Sequence, residues 1–305
     1  MVAGLKLGVT GGTGFVGGRL IELALAGGHE VRALTRRPQP PKPAVTWVEG
    51  ALDRPDSLAR LAEGADALIH VAGVINAPDR AGFEAANVTG TSAVLAAAEQ
   101  AGIARFVHVS SLAAREPKLS AYGASKAGSE SLVGASGLPW AIIRPPAVYG
   151  PGDKETLELF RMAKRGIVLL PPEGRLSLIH VDDLGRLLLA LADPAAPTGL
   201  LVEPDDGRHS GWSHAELGRA LGAALGRKVA TLSLPRPVLD FVARIDALVR
   251  RGGAKLTPDR VAYFCHPDWT VDPGKGAPDG LWKPQIETQL GLADTATWYR
   301  EQGWL

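Results

Sequence analysis

The stretch Thr10-Gly11-Gly12-Thr13-Gly14-Phe15-Val16-Gly17 constrains this chain more than any other. It follows a short apolar run, Leu5–Val9, and opens Phe15–Ala26, where apolar residues recur at helical spacing until Gly27-Gly28. Strand, glycine-rich turn and helix in that order begin a βαβ unit. Gly11, Gly14 and Gly17 let the backbone turn tightly, approach a pyrophosphate and pack helix against sheet. The helix N-terminus then offers free N–H groups to the phosphates. The spacing is Gly-x-x-Gly-x-x-Gly, one residue longer in its first gap than the usual dinucleotide fingerprint. Its position between a strand and a helix separates it from an ordinary glycine-rich turn.

The alternation continues. Glu30–Leu34, Val45–Glu49, Ala67–Val71, Arg105–Val109 and Leu138–Ile143 read as strands, with helices over Phe83–Gln100 and Leu119–Val133. Short, nearly continuous apolar strands separated by helices predict an α/β fold, a Rossmann-type doubly wound parallel sheet. Ligands of such sheets sit at the carboxyl ends of the strands. After Gly150-Pro151-Gly152 the spacings loosen, although Thr156–Arg165, Leu176–Ile179 and Asp183–Leu191 still read as helix, strand and helix. The expected division is a dinucleotide-binding domain over 1–150 and a smaller C-terminal substrate lobe over 151–305, with some strands shared.

Composition narrows the class. The 305 residues are 46% hydrophobic and 21% charged, enough for a sizeable core. A net charge of +1 gives no basic field for nucleic acid. The single cysteine, Cys265, excludes an internal disulfide and a multi-cysteine zinc site, and no cation adjoins it in sequence to activate the thiol. His70, His108 and His180 end strands, where packing or hydrogen bonding is the expected role and metal binding is not. No run approaches the ~18 apolar residues of a spanning helix, and Met1-Val-Ala-Gly-Leu-Lys-Leu has no leader pattern. The expected compartment is the cytoplasm.

The second strand ends Ala33-Leu34-Thr35-Arg36-Arg37. An NAD site usually carries a carboxylate there for the ribose hydroxyls. Here guanidiniums stand instead, suited to a phosphate, so NADP(H) is favoured over NAD(H) and Arg36 is the expected contact. Ser110-Ser111 follows the fifth strand, and Tyr122 and Lys126 lie four apart on the next helix, on one face. A phenol of pKa ~10 needs a nearby cation to work as acid–base at neutral pH, and a serine hydroxyl can polarise a carbonyl.

Thr10–Gly17, His70-Val-Ala-Gly73, Asn87-Val-Thr-Gly-Thr91, Val109-Ser-Ser111, Tyr122-Gly-Ala-Ser-Lys126, Arg144-Pro-Pro-Ala-Val-Tyr-Gly-Pro151 and Ile179-His-Val-Asp-Asp-Leu184 together resemble the extended branch of the short-chain dehydrogenase/reductase superfamily. That branch includes sugar-nucleotide epimerases and dehydratases, steroid dehydrogenases and dihydroflavonol reductases. The closing Gly291–Leu305 also resembles such proteins, so the likeness runs along the whole chain. It implies that Gly11, Thr13, Gly14, Phe15 and Val16 line the pyrophosphate, Leu52 flanks the adenine, and Val71, Ala72 and Gly73 border the ribose and phosphate. It implies further that Asn87 supports the cofactor site and that Pro145 and Val148 touch the nicotinamide carboxamide. Tyr122 would be the acid–base, Lys126 its ribose-binding partner, and Ser111 the carbonyl-polarising hydroxyl, with Ser110 the alternative beside the cofactor. In many relatives the helices matching Phe83–Gln100 and Leu119–Val133 form a four-helix dimer contact, so the resemblance implies a homodimer.

Departures bear on the substrate. Ser111 and Tyr122 are only 11 apart, shorter than in sugar-nucleotide epimerases. Ala51 stands where many relatives carry an Asp for the adenine amine. Sugar-nucleotide enzymes usually place an Arg five residues before Val181; here that residue is Leu176, with Arg175 one off register. A one-residue shift in a strand turns the side chain to the other face. Pro237–Arg251 reads as an amphipathic helix, either a lid or core helix of the substrate lobe or a membrane-surface element. With Trp212, Trp269 and Trp282 in the expected substrate lobe, the small-molecule substrate is expected to have an apolar body. The leading expectation is an NADP(H)-dependent oxidoreductase acting on a ketone or secondary alcohol. A sugar-nucleotide epimerase or dehydratase is the second. The third is an NADPH-holding subunit of a larger complex, disfavoured because such relatives often lose the Tyr–Lys pair kept here.

Overall fold

A computed structural model describes residues 4–208, 210–250 and 256–305. The chain runs through β1 (Lys6–Thr10), α1 (Phe15–Ala26), β2 (Glu30–Thr35), β3 (Val45–Glu49), α2 (Pro55–Ala62) and β4 (Ala67–His70). It continues with α3 (Arg80–Phe83), α4 (Gly90–Ala101), β5 (Arg105–Val109), α5 (Ala121–Ala135) and β6 (Trp140–Ile143). Next come β7 (Ala147–Tyr149), α6 (Glu155–Lys164), β8 (Ile167–Leu170), β9 (Arg175–Leu176), β10 (Leu178–His180), α7 (Val181–Ala192) and β11 (Leu200–Val202). The remainder is β12 (Trp212–Ser213), α8 (His214–Ala224), β13 (Ala230–Ser233), α9 (Arg236–Arg250), α10 (Pro258–Phe264), β14 (Asp268–Trp269) and α11 (Thr288–Glu301).

Two compact units result. The first comprises Met1–Pro145, Leu184–Glu203 and Lys275–Lys283; the second comprises Pro146–Asp183, Pro204–Gly274 and Pro284–Leu305. The chain thus leaves the first unit five residues before the expected boundary and re-enters it twice. Strand pairing is one reason, since β11 adds to β6 through Leu200↔Ala141 to Val202↔Ile143. Trp282, expected in the substrate lobe, falls in the first unit.

The first unit is built on seven parallel strands ordered β3-β2-β1-β4-β5-β6-β11. This is the doubly wound Rossmann order, which reverses direction between β1 and β4 and opens a crevice beyond their carboxyl ends. β4 and β5 are buried along their whole length, as strands covered on both faces must be. Leu58, Leu61, Leu68, Val94, Ala98 and Phe106 form part of one core on the side of α2 and α4. The helix expected over Phe83–Gln100 is three segments: α3, a wide π turn at Glu84–Thr89, and α4.

The second unit holds small sheets, with β10 parallel to β7 and β13 parallel to β8. Phe160, Leu178, Trp212, Leu221, Leu292 and Tyr299 belong to its core. Trp212 and Trp269 are buried structural residues: their indole N–H groups donate to Asp206 Oδ2 and to the Tyr263 carbonyl, both at 2.8 Å. Asp183 accepts the backbone N–H groups of Gln285 and Ile286 at 2.8 and 3.0 Å, tying down the approach to α11. The end of the expected helix Pro237–Arg251 at Arg251 lies outside the described residues. No helix among the described residues is long and apolar enough to cross a membrane.

Candidate active site

The loop after β1 turns through Gly11, whose φ of +73° disfavours any side chain. A Cβ at Gly11 would lie 2.7 Å from the Ala72 nitrogen, and one at Gly17 would lie 2.2 Å from the Gly11 carbonyl oxygen. These two glycines therefore seat the loop against the residues following β4 and α1 against the loop. Gly14 caps α1 without any side-chain hydrogen bond, so the first-turn N–H groups are left for a ligand. Thr13 and Gly14 are exposed, and Phe15 and Val16 are half-buried at the start of α1.

Thr10 locks β1 to β4. Its hydroxyl accepts the Ala72 N–H at 3.1 Å and lies 2.7 Å from His70 Nδ1. The opposite nitrogen, His70 Nε2, lies 3.0 Å from the Thr91 hydroxyl, which itself donates to the Asn87 carbonyl. With the Thr91 proton committed, His70 donates from Nε2 and accepts at Nδ1. Burial, reinforced by the Lys126 charge, depresses His70 to about 3, so the ring is neutral. His108 stacks on it at 5.4 Å and is likewise held neutral by burial.

Asn87 sits on the π turn, and π turns of this kind frequently mark functional sites. Its amide accepts from the Val74 N–H at 2.8 Å and donates to the Val74 carbonyl at 3.0 Å and to Ser125 Oγ at 2.9 Å. Asn87 so fastens the segment after β4 to α5. A Cβ at Gly73 would fall 3.0 Å from Asn87 Oδ1 and 3.7 Å from Lys126 Nζ, which brings Gly73, Asn87 and Lys126 into one locus. Val71 and Ala72 are half-buried beside it, and Leu52, also half-buried, packs on the core next to Gly90.

The two serines part ways. Ser110 donates to the buried Glu130 carboxylate. Ser111 instead hydrogen-bonds Tyr122, and its Oγ also accepts from the Ala113 N–H at 3.2 Å. Tyr122 lies on the first turn of α5, whose N-cap Ser120 accepts the Gly123 N–H. Its ring is tilted against Phe83 at 6.0 Å. Burial raises the Tyr122 phenol, and the bond to Ser111 opposes that rise. One turn on, the Lys126 ammonium donates to the Val109 carbonyl at 2.7 Å; burial brings it down to about 8, with Glu130 opposing.

Glu130 also belongs to an ion network whose long-range pairs local sequence spacing does not reveal. Arg144 bonds Glu130 through Nε and Nη2 at 2.8 and 2.6 Å and Glu203 through Nη1 at 3.2 Å, and Arg115 and Lys275 also approach Glu203. Glu130, i+4 from Lys126 on one helix face, was the one sequence signal for it. Pro145 is buried at the end of the first unit. Val148, in the second unit, is half-buried on β7. Arg36 is exposed at the end of β2, and its guanidinium has no partner among the described residues.

These residues fit a nicotinamide dinucleotide: a side-chain-free cradle, an uncapped helix start, an unpaired cation beyond β2, and a buried ammonium beside a phenol. Fold and site together define an NAD(P)-dependent oxidoreductase of the extended short-chain dehydrogenase/reductase type. The chain belongs to the NAD dependent epimerase/dehydratase family, whose model matches residues 7–199. It is 40% identical to a ceramide reductase of Caulobacter vibrioides across 97% of this chain and 95% of that one. It is 29% identical to a putative dihydroflavonol 4-reductase of Synechocystis, again over 97% and 95%. In fold it is similar to MoeE5 in complex with UDP-glucose and NAD, with a TM-score of 0.76, 23% identity and 98% and 99% of the two chains covered.

Proposed function

We propose that this protein is an NADPH-dependent ketone reductase whose substrate is a carbonyl-bearing lipid of the ceramide class. The observation that carries the reading is the hydrogen-bonded Ser111–Tyr122 pair one helical turn from the buried Lys126. The full-length likeness to a ceramide reductase supports the substrate class. The exposed, unpaired Arg36 supports NADPH, because a guanidinium pairs with a 2′-phosphate and a carboxylate is missing there.

The bound cofactor supplies the hydride. Tyr122 gives its phenolic proton to the carbonyl oxygen as charge develops there, and Ser111 donates a hydrogen bond to the same oxygen. Lys126 places positive charge near the phenol, which stabilises the phenolate left behind. When the cofactor is bound, Gly11, Thr13, Gly14, Phe15, Val16 and Gly17 would hold its pyrophosphate, and Lys126, Gly73 and Asn87 would border its ribose. Ser110, committed to Glu130, orients the ion network and leaves carbonyl polarisation to Ser111.

A second reading, a sugar-nucleotide epimerase or dehydratase, is favoured by the likeness to MoeE5 in complex with UDP-glucose. Against it, the Arg175 guanidinium donates to the Ser210 and Gly211 carbonyls at 2.6 and 3.0 Å. The deciding assay offers the protein a ceramide-class ketone with NADPH or NADH, or UDP-glucose with NADP+ or NAD+, and identifies products by chromatography coupled to mass spectrometry. Reduction of the lipid ketone with NADPH is expected. Conversion of the sugar nucleotide without net nicotinamide oxidation would replace the first reading with the second.

A further inference from the structure

Helix α9 is amphipathic the wrong way round for a core helix. Val238, Phe241, Val242, Ile245, Leu248 and Val249 recur at intervals of three and one, so they share an arc of about 120° on a helix. All six are exposed, from 43% at Val238 and Val242 to 80% at Leu248, and they make up half of the large exposed apolar residues among those described. The inward face is the modest one: Ala243 is fully buried, and Asp240 and Asp246 are half-buried. Both acids are satisfied locally, Asp240 by Arg236 at 3.8 Å and Asp246 by the Leu256 N–H at 2.8 Å.

The strand leading into the helix repeats the theme. On β13, Leu232 is 48% exposed and pairs in register with Leu169 on β8, itself 41% exposed. Charge identifies what such a face meets. From Arg236 to Leu256 the sequence carries Arg236, Arg244, Arg250, Arg251 and Lys255 against only Asp240 and Asp246, a net of +3. An exposed apolar stripe on a segment of net positive charge, with both of its acids engaged by Arg236 and the Leu256 N–H, fits an anionic lipid surface: the stripe enters the acyl boundary and the segment's positive charge favours the headgroups. A second copy of the chain would bring the same positive charge against itself.

We infer that α9 is an interfacial helix that docks this protein on anionic bilayers through Val238, Phe241, Val242, Ile245, Leu248 and Val249. The inference stands on this helix and not on the substrate reading, and its test needs no substrate. The full-length protein is floated with vesicles of phosphatidylcholine alone or with about one-third phosphatidylglycerol. Binding to the anionic vesicles is expected, falling as salt is raised, with little binding to the neutral ones. Phe241→Asp and, separately, Leu248→Ser should each weaken vesicle partitioning about tenfold, as loss of one buried large apolar side chain implies. Both variants should keep the wild-type melting temperature and the wild-type rate on a small water-soluble ketone. Absence of binding to anionic vesicles, or equal binding to both kinds, would overturn the inference. So would a dimer in solution that dissociates on Phe241→Asp, since a second copy would then own the face.

Discussion

Lys126 and Glu130 sit one turn apart on α5, and their charges are coupled: burial brings the ammonium down to about 8 while the carboxylate holds it up. A Lys126 that titrates there loses its charge just above neutral pH, and with it the field that favours the Tyr122 phenolate. NADPH-linked reduction is therefore expected to decline as pH rises through about 8. Glu130→Gln removes the opposing charge and should move that decline to lower pH, read from rate–pH profiles of the two proteins. An unmoved profile would separate Lys126 from the pH dependence. Glycine positions give a second prediction at this scale. Gly17→Ala puts a Cβ 2.2 Å from the Gly11 carbonyl oxygen, whereas at Gly14 the nearest contact is 3.3 Å. Denaturant titration should show Gly17→Ala less stable by about 1–3 kcal/mol, and Gly14→Ala nearly unchanged in fold but weakened in NADPH binding.

At the scale of elements, the π turn carries a prediction of its own. Asn87 joins Val74 to Ser125 through three hydrogen bonds, so Asn87→Ala leaves the half-buried Val74 N–H and carbonyl without those partners. A loss of about 1–3 kcal/mol in unfolding free energy and weaker NADPH binding are expected, checked by denaturation and calorimetry. The π turn also marks where the sequence ran out. An Ala-rich stretch such as Phe83–Gln100 has helical periodicity throughout, and nothing in a period of 3.6 announces one wider turn. Strands β3 and β5 were legible to the residue because each is a five-residue run rich in β-branched and aromatic residues. Helix α2 was not read, because its mean polarity is that of a surface helix and only Leu58, Leu61 and Ala62 anchor it. Two-residue strands such as β9, β12 and β14 exist through pairing with each other, which is long-range information.

The same divide runs through the site. Tyr122, Lys126 and the glycine loop announce themselves by local spacing, while the Ser110–Glu130 bond and the Arg144–Glu203 pair span 20 and 59 residues. Cys265 is a smaller example: no cation adjoins it in sequence, yet Arg236 faces it in the fold, with burial still raising the thiol.

For the whole molecule, the buried neutral histidines set a limit on acid tolerance. His70 is depressed from 6.5 to about 3, and His108 is depressed as well. Between those values the unfolded chain binds protons that the folded chain does not, so stability is full above pH 6.5 and is lost progressively as pH falls toward 3. Melting temperatures measured across that range should fall with pH, and His108→Phe should flatten the fall. An unchanged slope in the variant would place the acid sensitivity elsewhere. The ordered Rossmann sheet, the loop fitted for phosphates and the Ser111–Tyr122–Lys126 set support the proposed hydride chemistry on a ketone, with Tyr122 supplying the proton. The most direct test follows NADPH oxidation by wild type and by Tyr122→Phe on a ceramide-class ketone, with NADPH affinity measured in parallel. A fall of about 10²–10⁴-fold in turnover with NADPH binding retained is expected. Turnover by the Phe variant at the wild-type rate would contradict it.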